Sequence, residues 1–182
     1  IFVFIYREYE TAKAFLISAG ACLTTGFLLQ RLFTMGRLFY RQSLLVCGVA
    51  WFILCLFAAL PFSIGAGMSY LDAYFESVSG FTTTGITVIT AIEGLPKSIL
   101  FWRSLIQWLG GLGILTLFLA ITFRSNGAYF QLFSAEAHKI DSARPTPNIY
   151  RTAAMLWSIY AGFTLLEAII LKVLGLSVFD SI

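Results

Sequence analysis

Charged side chains are scarce in this sequence. Only 12% of its 182 residues are Asp, Glu, Lys or Arg, whereas 59% are hydrophobic and the mean hydropathy is +0.86. An average soluble domain has about twice that share of charged residues, and a particle of this size cannot hide so much apolar surface from water. The composition therefore excludes a disordered chain, a nucleic-acid-binding domain and most soluble enzymes. It indicates a protein whose solvent is the lipid bilayer.

Side chains that commonly carry catalysis or bind metals are also few. The single histidine, His138, has no cysteine near it, which argues against a metal site. Cys22, Cys47 and Cys55 lie in apolar runs without a Cys-x-x-Cys pair, so we expect buried free thiols rather than disulfides. Neither a Gly-rich phosphate loop nor a complete nucleophile motif is present. We therefore expect no enzymatic activity and no organic cofactor.

Four apolar runs are long enough for membrane-spanning helices, which need about 20 residues each. The first run covers residues 14–30, and the second helix is expected over residues 43–64. The third run covers residues 104–123, in a helix that should begin nearer Ile99, and the fourth covers residues 149–174. The sequence thus predicts an all-α polytopic membrane protein.

The charges between these helices predict how the helices are oriented. Arg31, Arg37 and Arg41 separate the first two helices and have no acidic residue among them. Basic residues also outnumber acidic ones between the third and fourth helices. By the positive-inside rule both connections are cytoplasmic. Residues 69–97 should then face the exterior.

Residues 68–98 are too polar and too short to span a membrane, but they contain a half-length helix and a Thr/Gly segment. Apolar residues recur at helical spacing over residues 70–79, and such a helix reaches roughly 16 Å, about half a bilayer. Gly80 should end it. After Phe81, four residues are expected to be extended and to form a re-entrant pore loop: Thr82, Thr83, Thr84 and Gly85.

The backbone of such a loop suits a dehydrated cation. Its carbonyl oxygens can replace the water shell of the ion, and threonine adds a hydroxyl that can serve as a further ligand. Glycine adopts positive φ easily, which turns its carbonyl group at little cost. The C-terminal end of the half-length helix adds partial negative charge. We therefore expect residues 82–85 to bind a cation.

Charged and glycine residues around the loop are expected to support it. Asp72 and Glu76 lie one helical turn apart, and Asp72, near the helix start, should cap the helix rather than attract cations. Glu76 lies deeper, and an ionisable residue in a membrane segment normally has a partner, for which Arg103 is the candidate. The third helix contains glycines that should permit close helix packing or, alternatively, let the helix bend or leave room for the half-length helix: Gly110, Gly111 and Gly113.

Four segments of the sequence carry a specific pattern. One is Phe-Glu-Ser-Val-Ser-Gly-Phe-Thr-Thr-Thr-Gly over residues 75–85; the others are Ala-Leu-Pro-Phe at residues 59–62, Trp102 with Arg103 before Gln-Trp-Leu-Gly-Gly-Leu-Gly at residues 107–113, and Glu136. Together they resemble the Trk/Ktr/HKT superfamily of cation transporters, in which the first segment corresponds to a selectivity filter. The resemblance implies helix–pore loop–helix repeats in a pseudo-fourfold arrangement around a central pore, with one filter loop for each repeat.

The same resemblance implies a function and partners. It implies potassium uptake across the prokaryotic plasma or inner membrane, with potassium at Thr83 and Thr84 and with Glu76, Arg103 and Gly80 supporting the filter. It also implies that the glycine of the filter favours potassium over sodium. The expected partners are membrane lipid, a second copy in a homodimer, and a cytosolic nucleotide-binding regulatory subunit (TrkA-like), but no nucleic acid.

Only the first repeat and the start of the second are expected in this chain. Residues 1–42 should hold a preceding helix and a cytoplasmic loop, 43–123 the first repeat, 124–148 a cytoplasmic linker, and 149–182 the first helix and pore-helix start of the second repeat. Leu-Asp-Ala at residues 71–73 parallels Phe-Asp-Ser at 179–181. Because one repeat cannot encircle an ion, we expect the natural protein to continue past Ile182 and this chain alone not to conduct.

Two other functions remain compatible with the pattern. A secondary transporter with a broken helix can bind an ion and a substrate at a Thr/Gly stretch in the middle of the membrane, and it requires substrate-coupled flux. A non-transporting membrane assembly subunit requires no ion at the Thr/Gly loop.

Overall fold

The computed structural model describes residues 2–33, 40–124 and 149–181, and these ranges contain helices and connecting turns but no strand. The predicted all-α class is confirmed. The predicted linker over residues 124–148, with His138, lies almost entirely outside the described residues, as does Arg37. The helices are α1 (Phe2–Ile5), α2 (Tyr9–Leu32), α3 (Tyr40–Gly65), α4 (Tyr70–Phe81), the 3-10 helix Ile92–Gly94, α5 (Lys97–Arg124) and α6 (Ile149–Val173).

Three helices within the described ranges are long and apolar enough to cross a membrane: Tyr9–Leu32, Gly48–Gly65 and Arg151–Val173. Many of their large apolar side chains are exposed, as is usual where lipid takes the place of water. These spans agree with the first, second and fourth predicted helices. The third prediction corresponds to α5, which begins two residues before Ile99.

The chain divides into two compact units, residues 1–111 and 112–182. In the first unit, α3, α4 and α5 share a core in which small residues bring the backbones close together. Its fully or nearly buried members are Cys55, Ala58, Ala59, Phe62, Ala73, Phe81, Ile99 and Ile106. The half-length helix α4 is thus packed against two longer helices.

The cysteines differ in their burial. Cys55 is buried, as predicted, whereas Cys22 is exposed on α2, so the expectation of a buried thiol is wrong there. The reason is that only Thr11, Ala14 and Ser18 of α2 are buried against the rest of the protein. The side chain of Cys47 lies outside the described residues.

Near Pro61, backbone carbonyl groups of α3 accept hydrogen bonds from side chains of other helices. Because proline has no N–H, the carbonyl of Phe57, four residues earlier, loses its partner within the helix. The hydroxyl of Ser18 in α2 donates to this carbonyl at 2.8 Å. The two adjacent carbonyls accept from α4 and α5: Tyr70 Oη donates to Leu56 O at 3.0 Å, and Trp102 Nε1 donates to Ala58 O at 3.1 Å.

The start of α5 is capped by a carboxylate from a distant part of the chain. Glu8, which precedes α2, accepts hydrogen bonds from the N–H of Lys97 at 2.7 Å and from the N–H and the hydroxyl of Ser98 at 2.9 and 2.5 Å. A helix leaves its first N–H groups without partners in the helix, and its N-terminus favours negative charge. The beginnings of α2 and α5 are therefore held together.

Candidate functional site

The turn between α3 and α4 sets the start of the half-length helix. Ser69 is its N-cap: the hydroxyl accepts from the N–H of Asp72 at 3.2 Å and donates to Asp72 Oδ2 at 2.7 Å. Gly67, two residues after the end of α3, has φ of +68°, a left-handed conformation that glycine adopts easily. Asp72 therefore forms hydrogen bonds at the start of α4, as expected, but the capping group is the Ser69 hydroxyl.

The turn after α6, in the second unit, has the same geometry. Gly175 has φ of +99°. The hydroxyl of Ser177 donates to Asp180 Oδ2 at 2.6 Å and accepts from the N–H of Asp180 at 3.2 Å. Each residue of this turn follows its counterpart in the first turn by 108 positions. The parallel between residues 71–73 and 179–181 thus extends to local backbone structure.

The half-length helix ends later than predicted. It continues through Gly80 to Phe81, so the expected end at Gly80 is wrong. Gly80 is buried, and a Cβ atom there would lie 2.5 Å from Ile106 Cδ1 of α5. The missing side chain therefore allows contact between α4 and α5 and does not terminate the helix.

The threonine segment is a tight turn at its start and not a uniformly extended strand. Thr83 has φ of +57° and Gly85 has φ of +75°, and positive φ is unfavourable for a β-branched residue such as threonine. The N–H groups of Thr84 and Gly85 both donate back to the carbonyl of Ser79, at 3.0 and 3.4 Å. These bonds hold the unfavourable conformation of Thr83, which the expectation of an extended stretch did not include.

The backbone oxygens of this turn fall into two groups. Thr82 O accepts from the Thr83 hydroxyl at 2.7 Å, and Ile86 O accepts from the Ser79 hydroxyl at 2.5 Å. The oxygens between them accept no hydrogen bond from the residues that the structure describes, and the residues that carry them are exposed. Three carbonyl groups are therefore available as cation ligands: those of Thr83, Thr84 and Gly85.

Glu76 fastens the segment after the turn to α4 and α5. The residue is 2% exposed. Its Oε1 accepts from the Thr87 hydroxyl at 2.5 Å and from the N–H of Val88 at 2.7 Å, and its Oε2 lies 3.2 Å from Arg103 Nε. A buried charge is tolerated when it is paired and hydrogen-bonded. The predicted ion pair of Glu76 with Arg103 is confirmed.

Gly110 allows α5 to pass the end of α4. A Cβ atom at this position would overlap with the carbonyl group of Phe81. Of the two roles considered for the glycines of this helix, the structure confirms for Gly110 that it leaves room for the half-length helix.

We expect Gly110→Ala to destabilise the protein by about 1–3 kcal/mol, the range for overpacked sites, because the atom that must move is backbone. Gly162→Ala is the matched control, since a Cβ at Gly162 meets nothing within 4 Å. The control should be neutral or stabilising by up to about 1 kcal/mol, because alanine favours helix. Thermal unfolding of the detergent-solubilised protein measures both, and equal melting temperatures would contradict the role of Gly110 in leaving room for α4.

Two contacts, one at the loop and one at the start of α5, were not predicted from the sequence. Ser79 was not recognised as a loop contact, although a polar residue on the buried face of an amphipathic half-length helix is a signal of a bonded partner. Glu8 gave no local signal, because its partners lie about ninety positions away.

Comparison with known proteins identifies relatives of this chain. The profile of the family described as "TrkH: Cation transport protein" matches residues 39–177. An uncharacterized cation transporter of Methanocaldococcus jannaschii is 36% identical over 181 residues, which cover 99% of this chain and 38% of that relative. The Trk system potassium uptake protein TrkH of Halomonas elongata is 38% identical over 175 residues, covering 93% and 36%. The protein of the same name from Escherichia coli K12 is 38% identical over 150 residues, covering 81% and 31%. The chain spans about a third of the length of these relatives.

Proposed function

The chain belongs to the TrkH family of cation transport proteins and is a polytopic protein of the cell membrane, and from that premise we propose that it is part of a potassium uptake protein. In this proposal the loop after α4 binds dehydrated potassium at the carbonyl oxygens of Thr83 and Thr84, with Thr82 and Gly85 completing the filter segment. The chain is then a transporter component and not an enzyme. Potassium is its substrate.

The observation that carries the proposal is the set of backbone oxygens that accept no hydrogen bond from the described residues. No charged side chain occurs over residues 77–92, so a cation at the loop would be bound by carbonyl and hydroxyl oxygens alone. Carbonyl oxygens can replace the hydration shell of potassium. Irregular backbone at membrane depth is stable only where it is buried in protein or lines a water-filled cavity, and an ion pathway supplies such a cavity.

The loop is held from both sides, which favours a fixed ligand geometry. Ser79 binds the turn itself, and Glu76 binds the two residues that follow it, Thr87 and Val88. Arg103 connects the same carboxylate to α5, and Gly80 allows α4 to lie against that helix. Glu76, Arg103 and Gly80 thus support the filter without being ligands.

A single loop supplies only part of an ion site, so we propose that several such loops surround one pore. Residues 43–123 form the first repeat, and residues 149–182 begin the second. The shared geometry of the turns at Ser69 and Ser177 supports this division. Residues 1–42 supply a preceding helix and a cytoplasmic loop, and residues 124–148 form a cytoplasmic linker. The complete arrangement is pseudo-fourfold.

We further propose that the complete protein is a homodimer in lipid, regulated by a cytosolic nucleotide-binding subunit (TrkA-like). The relatives from Halomonas elongata and Escherichia coli are named as proteins of Trk systems, which supports an assembly with further subunits.

The test is uptake by the intact protein that carries this sequence. Expression in a bacterial strain that lacks its own potassium uptake systems should restore growth at low potassium and should produce rubidium uptake that potassium inhibits. Uptake that depends on an organic co-substrate would favour the secondary transporter. Absence of both growth and uptake in a strain with verified membrane expression would contradict the proposal.

A further inference from the structure

We infer that Ser79 is a positioning residue that fixes which carbonyl groups the filter loop offers to the ion. The inference rests on the proposed function of the loop. In this inference Ser79, a buried residue of α4, does not bind the ion but holds the groups that do.

Ser79 contacts both limbs of the loop. Its carbonyl accepts from the N–H groups of Thr84 and Gly85 at 3.0 and 3.4 Å. Its hydroxyl, from a residue only 7% exposed, donates to the carbonyl of Ile86 at 2.5 Å. One residue of the helix therefore sets the positions of three residues of the loop.

The hydroxyl bond defines where the run of free carbonyls ends. The carbonyls of Thr83, Thr84 and Gly85 accept no hydrogen bond within the described ranges, and Ile86, the next residue, is the one that Ser79 engages. Without the hydroxyl, the carbonyl of Ile86 is released and the limb after Gly85 loses its nearest anchor. Selectivity for potassium depends on the size of the carbonyl cage or on the number and field strength of its oxygens. Either dependence predicts weaker discrimination against sodium.

The anchor at Ser79 is separate from the one at Glu76. Glu76 binds Thr87 and Val88 and forms the ion pair with Arg103, whereas the Ser79 hydroxyl, among the described residues, binds the carbonyl of Ile86 alone. Ser79→Ala leaves the carboxylate contacts and the carbonyl of residue 79 in place. Its effect should therefore be on ion discrimination more than on folding.

Ser77 provides a matched control on the same helix. It is 0% exposed, and its hydroxyl donates to the carbonyl of Ala73 at 3.0 Å, within α4. Ser77→Ala removes the same atom from an equally buried site that has no hydrogen bond to the loop.

The experiment measures rubidium and sodium uptake by the intact protein and by the variants Ser79→Ala, Ser79→Thr and Ser77→Ala. Ser79→Ala should lower the rubidium-to-sodium ratio roughly threefold to tenfold, the size expected from one hydrogen bond. Ser79→Thr, which keeps the hydroxyl, should restore the ratio, and Ser77→Ala should leave it unchanged. If Ser79→Ala does not accumulate, Ser79→Cys replaces it, because a thiol is a weak donor and should lower the ratio in the same direction.

The outcomes separate this inference from the proposed function. An unchanged ratio in Ser79→Ala, or in Ser79→Cys where that variant is used, would overturn the positioning role while potassium uptake stands. An equal loss of discrimination in Ser77→Ala would also overturn it. A parental protein without rubidium uptake would overturn the proposed function itself.

Discussion

Glu76→Ala is expected to destabilise the protein severely. The change leaves the Arg103 guanidinium without its carboxylate and removes the acceptor of Thr87 and Val88. Breaking a buried ion pair by removing one partner costs about 3–5 kcal/mol, a large share of the roughly 5–15 kcal/mol that stabilises a typical protein. We therefore expect little folded protein by size-exclusion chromatography and no measurable rubidium uptake.

Asp72→Asn and a double substitution test the cause of that loss. Asp72 is an exposed acidic residue on the same helix, and asparagine keeps an oxygen for the Ser69 hydroxyl, so this variant should change stability by less than about 1 kcal/mol. Glu76→Gln combined with Arg103→Gln removes both charges and should be less destabilised than the sum of the two single changes. A Glu76→Ala protein as stable as Asp72→Asn would contradict the account of the ion pair.

Gly85→Ser is expected to have the largest effect on selectivity. Gly85 has φ of +75°, and a Cβ there would meet nothing within 4 Å, so the cost of a side chain is conformational and not steric. The left-handed conformation costs an L-residue about 1–2 kcal/mol. Relaxation toward negative φ would turn the Gly85 carbonyl away from its place in the proposed filter. We expect the ratio of rubidium to sodium uptake to fall, by about tenfold if the displaced carbonyl costs rubidium about 1.4 kcal/mol more than it costs sodium.

Gly94→Ser serves as the control for that substitution. Gly94 lies in the 3-10 helix, and a Cβ atom there would likewise meet nothing within 4 Å, but the residue has no positive φ. Its uptake ratio should equal that of the parental protein. Equal ratios for Gly85→Ser and the parental protein would refute the role of Gly85 in discrimination.

Local sequence patterns predicted most of the helices, because the formation of a helix depends largely on residues that are close in sequence. The apolar runs gave the long helices, and the helical spacing of residues 70–79 gave α4, which begins at Tyr70 as expected. The ion pair of Glu76 with Arg103 followed from the energetic cost of an unpaired charge in a membrane segment. The helices and the ion pair could be predicted because hydrophobic spacing and the position of a charge can be seen in the sequence itself.

Tertiary contacts explain what the sequence did not predict. Gly80 lies within α4, and its lack of a side chain leaves room for Ile106 of α5. Thr83 has a positive φ, which is unfavourable for threonine, and the hydrogen bonds of Ser79 with residues 84–86 hold this conformation. The carbonyl of Phe57 is satisfied by Ser18 of α2, which the presence of Pro61 alone does not specify. Each of these features depends on residues that are distant in sequence or on the way the loop folds back onto α4.

The central claim is that backbone oxygens of the loop after α4 bind the transported ion. The most direct test is a structure of the intact protein in rubidium or thallium, with anomalous density used to locate the ion. We predict density within bonding distance of the carbonyl oxygens of Thr83 and Thr84, at the axis of a pore. Density elsewhere, with this loop facing lipid or packed against a helix away from any pore, would contradict the claim.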